Sequence, residues 1–186
     1  MYADDVEIAL EDAVTEGNLE RLQEIAAQIK DDIKNFFDDE LWLLAARQGH
    51  LIVMQWMHLQ ADKFDIPQPE MSTLLNEATK YGQLHIVQWL AEQGCNLYQL
   101  THRNYNALTL AAEGGHLEVV KWLAEQGCNL DQLDDFNGNA LPLAAQGGYL
   151  EVVKWLAEQG FDIHHVDKAR DNALTLAAKE GHLEVV

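Results

Sequence analysis

Tryptophans 56, 89, 122 and 155 stand 33 residues apart, and so do glycines 49, 82, 115, 148 and 181. The segment Leu117 to Gly127, Leu-Glu-Val-Val-Lys-Trp-Leu-Ala-Glu-Gln-Gly, returns letter for letter at Leu150 to Gly160. Trp-Leu-Ala-Glu-Gln-Gly-Cys-Asn-Leu is likewise shared by Trp89–Leu97 and Trp122–Leu130. A fixed period of this length marks copies of one small unit stacked in a row, each too small to hide its apolar surface alone.

Within the unit, Glu118, Lys121 and Glu125 fall at helical spacing on one wet stripe, and everything between them is apolar or small. Gly127 supplies a left-handed stop. Upstream, Asn106 to Gly115 reads as a shorter helix with Asn106 as N-cap and Gly114 or Gly115 as its end. Its paired alanines allow two antiparallel helices to approach closely. Each unit is therefore a helix pair plus a connector of about ten residues.

The pattern Ala-Leu-Thr-Leu-Ala-Ala-x-x-Gly-His-Leu-Glu-Val-Val-Lys-Trp-Leu resembles the ankyrin repeat, whose period it shares. The resemblance implies an all-α ankyrin-repeat solenoid of helix-turn-helix pairs with hairpin-like connectors. One departure is consistent: Asn106, Asn139 and Asn172 replace the Thr that opens the family's Thr-Pro-Leu-His. Asn caps a helix as Thr does, so the fold expectation stands.

Read this way the chain is a single domain: a degenerate N-terminal capping repeat over 1–38, then repeats over 39–71, 72–104, 105–137 and 138–170, and a partial sixth over 171–186. The cap assignment rests on carboxylates filling the exposed positions of the first unit, as an end without a neighbour requires. The sixth unit stops midway along its second helix, which suggests a fragment of a longer protein. Pro67 and Pro69 make the connector after the second unit less regular than the others.

A formal charge of −19, from 31 acidic and 12 basic residues, argues against nucleic acid or an anionic membrane as partner. The first 40 residues hold 13 of those carboxylates and 3 cations, a solubilising face or a docking surface for a basic partner. The start, Met1 to Asp5, lacks the basic and apolar regions of a secretory signal, and no stretch reaches the length of a membrane span. Cys95 and Cys128 occupy equivalent sites one period apart and are expected to be reduced, which places the protein in the cytoplasm, or in a host cytosol for a secreted effector.

Candidate chemistry is sparse. His50, His116 and His182 recur once per unit and read as structural. His164 and His165 adjoin Asp162 and Asp167 without a third histidine or cysteine, so no metal site is expected. No phosphate loop, nucleophile–base pair or calcium loop occurs. The expectation is a protein with no enzyme activity, no cofactor and no small-molecule substrate. The recurring tryptophans are expected in the core.

The resemblance implies a concave surface, made from connector tips and first-helix ends, that grips a protein partner. Carried onto this sequence, its leading positions are Phe36, Phe37, Tyr81, His102, Arg103, Tyr105, Asp135 and Phe136, with Leu100, Leu133 and Val166 nearby. Aromatic and arginine side chains of this kind anchor interfaces. The expected function is a protein-binding adaptor, scaffold or targeting module. The alternative is a repeat domain that recruits substrate for a larger enzyme or host-directed effector whose catalytic part lies beyond residue 186.

Overall fold

A computed structural model describes residues 3–64, 66–136 and 138–186, and the side chains of all of these but Ala3 and Asp31. The signal-peptide reading at Met1 and Tyr2, and Asp65 in the proline-containing connector, fall outside the described residues. The helices come in antiparallel pairs: α1 (Ala3–Thr15) with α2 (Leu19–Ile29), α3 (Asp39–Gln48) with α4 (Leu51–Phe64), and α5 (Met71–Lys80) with α6 (Leu84–Glu92). Then follow α7 (Ala107–Glu113) with α8 (Leu117–Glu125), α9 (Ala140–Gln146) with α10 (Leu150–Glu158), and α11 (Ala173–Glu180). A 3-10 segment, Lys30–Asn35, follows α2.

Side-chain caps set where α3, α7, α9 and α11 begin. Asp38 accepts from the Leu41 N–H at 3.0 Å, Asn106 from Thr109 at 2.8 Å, Asn139 from Leu141 at 3.0 Å and Asn172 from Thr175 at 2.9 Å. Each cap satisfies one of the donors a helix start leaves unpaired. Glycine ends the first helix for two reasons at once. Gly82 has φ +75°, and a Cβ there would lie 2.4 Å from His116 Nδ1.

That histidine explains the once-per-unit pattern. Because a carbonyl only accepts, His116 Nε2 carries the proton and donates to the Lys80 carbonyl of the preceding unit, at 2.8 Å. His50 does the same to Thr15 at 3.0 Å, while Gln83 Nε2 donates to the Arg47 carbonyl at 2.8 Å. Each bond satisfies an orphan carbonyl at a helix C-terminus and ties a unit to its predecessor. His116→Ala is expected to lower stability by about 1 kcal/mol, read as a shifted urea midpoint. An unmoved midpoint would show that this tie adds nothing.

The first helices α1, α3, α5, α7, α9 and α11 lie side by side in one tightly packed row. Ala45, Ala46, Ala78, Ala111, Ala112, Ala144, Ala145 and Ala177 are all sealed at 0% exposure, which is what permits the close approach. The second helices touch their neighbours much less. The row is therefore curved, with first helices and connector tips on the inside of the bend.

The splay of the second helices corrects the expectation for the tryptophan ladder. Of the four, Trp89 alone is buried, at 9% exposure; Trp56, Trp122 and Trp155 pack against the core but are only half-buried. Trp42 is the fully enclosed indole, at 0%. The connectors also differ from hairpins: among the described residues they contain no strand, only turns. Cys95 and Cys128 are free thiols, and burial pushes Cys128 up to about 11.

Candidate functional site

Three connector tips share one construction. A backbone bond closes each five-residue turn: Thr101 N–H to the Tyr105 carbonyl at 2.9 Å, Asp134 to Gly138 at 2.8 Å, and Asp167 to Asp171 at 2.9 Å. The first residue braces its turn from within. Asp134 Oδ1 accepts the N–H groups of Phe136 at 2.8 Å and Gly138 at 2.7 Å, and Asp167 Oδ1 accepts that of Asp171 at 2.9 Å. Asn104 and Arg170 adopt left-handed φ of 60° and 66° at the fourth position, the place where asparagine suits the turn best.

The tips are joined in a rank. Asn104 Nδ2 donates to Asp135 Oδ1 at 2.6 Å, and the Lys168 N–H donates to the Phe136 carbonyl at 2.8 Å. His102, Arg103, Asp135 and Phe136 project from these tips into solvent, Phe136 with 66% exposure. Leu100, Leu133 and Val166, one per unit, form an exposed apolar row beside them.

Tyr81, at the end of α5, is the exposed aromatic on the first-helix side. The Arg47 guanidinium lies over its ring at 5.4 Å from the centroid while pairing with Glu77 at 2.8 Å. Hydrogen bonding to Glu77 is the main reason that the Arg47 pKa is raised. The phenol face is thus held by a cation that a carboxylate holds in turn.

Two of the expected anchors are not on the surface. Phe37 is 2% exposed and Tyr105 7% exposed; burial is the main cause of the raised Tyr105 pKa. Phe36 is half-buried against the core. Both corrected residues directly precede an N-cap, Asp38 and Asn106. An apolar residue at that position commonly packs over the fourth helical residue, which here is Trp42 and Leu110, both buried, and the Phe37 ring lies 6.1 Å from that of Trp56. That spacing was present in the sequence and marks them as staples rather than contacts for a guest.

Among the described residues no three His, Cys, Asp or Glu side chains stand close enough to hold a metal ion. No helix among them is long and apolar enough to cross a membrane. The family model for ankyrin repeats in three copies matches residues 41–134 and 126–186. The chain belongs to the ankyrin-repeat family. No curated protein matches the sequence at a significant level. Ankyrin repeats are generic protein–protein interaction modules, and proteins built from them are typically non-catalytic.

Proposed function

We propose that this ankyrin array binds a protein partner on its concave side, through Tyr81, His102, Arg103, Asp135 and Phe136. The observation that carries the reading is Phe136, a largely exposed phenylalanine on a turn whose backbone is fixed by Asp134 and Lys168. A large apolar side chain on an immobilised backbone loses little entropy on docking and gains the burial of most of its ring. The neighbouring row of Leu100, Leu133 and Val166 extends the apolar strip, while Arg103 and Asp135 rim it with opposite charges. This is the anatomy of an interface core with a polar border.

Affinity capture with Tyr81→Ala combined with Phe136→Ala tests it. The double variant should lose the partner captured by the parent chain while keeping its helical circular dichroism. Capture that survives both truncations would overturn the concave assignment. Phe136→Ala should leave folding within about 0.5 kcal/mol, and Tyr81→Ala, which also gives up the Arg47 contact, within about 1 kcal/mol.

A further inference from the structure

On the opposite, convex side the second helices α2 and α4 stand apart, and the 3-10 segment Lys30–Asn35 closes one end of the gap. The cleft between them has a volume of about 470 Å³. Its apolar lining is Ala26, Ala27, Ile33, Trp56 and Phe64. Such a volume lies within the roughly 300–1,000 Å³ of pockets that take a ligand or inserted side chains.

The charge at its rim is the informative feature. Lys30 and Lys63 line the cleft, with Gln23 and Gln60 as the other polar members, and no carboxylate is among its described lining residues. The chain carries 31 acidic residues against 12 basic ones, so a cleft with cations alone runs against its composition. Other clefts among the described residues differ: Glu92 lines one between α6 and α8, Asp38, Asp39 and Glu40 one beside α3, and Glu113 and Glu180 one at the ends of the last first helices. Among the described residues neither lysine is held in an ion pair: Lys63 Nζ lies 4.8 Å from the centroid of the Phe64 ring, and both side chains are exposed. Lys30 also holds a left-handed φ of 48°, a conformation that a lysine adopts at a cost.

We infer that this convex cleft is a second docking site, independent of the concave one, for a short acidic segment of a protein. A leucine-sized or aromatic side chain of the segment enters between Trp56 and Phe64, and flanking carboxylates meet Lys30 and Lys63. Opposite charges at the rim set orientation at close range, while the apolar floor supplies the affinity.

The probe is a short acetylated, fluorescently labelled peptide with leucines at helical spacing and glutamates between them, beside a copy in which lysines replace the glutamates. Fluorescence anisotropy with the full chain should show binding of the acidic peptide. Lys30→Glu with Lys63→Glu should weaken it at least about tenfold, whereas the charge-matched pair Lys121→Glu with Lys154→Glu should change it by less than about twofold. Ala27→Gln, which only fills the cleft with an exposed side chain, should weaken it comparably and decides the matter where the lysine pair fails to fold. The Tyr81→Ala and Phe136→Ala double variant should bind the acidic peptide as the parent does, which separates this site from the concave reading. Absence of binding by the parent chain, an unchanged affinity in Ala27→Gln, or loss in the concave variant would each overturn the inference. Co-sedimentation with phosphatidylserine vesicles in preference to the peptide would overturn it too.

Discussion

Trp42→Ala is expected to lower the unfolding free energy by about 3–5 kcal/mol, among the most damaging single changes available in this array. Its indole is wholly enclosed in α3, at the position where later units carry Leu75, Leu108 and Leu141. Truncation therefore leaves a void larger than any leucine could, in a row of helices whose close contacts give little room to collapse. Trp122→Ala makes the internal comparison. That ring is half-buried on a second helix, with water already at one edge, so its loss should cost roughly half as much, about 1.5–2.5 kcal/mol. Urea unfolding of both variants checks the ranking. Equal losses would mean that the outer helices are packed as tightly as the inner row.

Ala111→Leu is the second large effect, acting by the opposite route. Ala111 sits at 0% exposure in α7, with α5 on one side and α9 on the other. Three added carbons have nowhere to go between helices that touch through alanine, and overpacking of this kind costs about 1–3 kcal/mol or more. The concave surface would be affected as well, since pushing α7 from its neighbours displaces the tips on either side. A calorimetric melt that leaves the midpoint within a degree or so would show that α7 has slack after all.

Much of the fold was legible because periodicity reports it directly. Helix pairs, asparagine caps and glycine stops follow from local rules that each copy repeats, and the copies check one another. The family assignment rests on the same repetition. What the period does not encode is how far apart successive second helices stand. Trp56, Trp122 and Trp155 occupy apolar stripes in sequence, yet their burial depends on a curvature set by the alanines of the other helix. The candidate surface was partly legible for a related reason. Tyr81, Arg103 and Phe136 are exposed where a once-per-unit tip or helix end places them, while Phe37 and Tyr105 look equivalent in composition but stand two residues nearer their helix caps than the tip residues do. Standing immediately ahead of a cap turns an aromatic inward.

The ties between units are not uniform. Where His50, Gln83 and His116 each donate to a carbonyl of the unit before, the next unit has Tyr149, whose ring lies against Gly115 and Gly147. At that seam, adhesion at this position comes from an aromatic face on bare glycine backbone. Apolar contact loses strength as water cools. The boundary between the unit that ends in the Phe136 tip and the unit that follows it thus has a temperature coefficient unlike that of the seams tied by His50, Gln83 and His116.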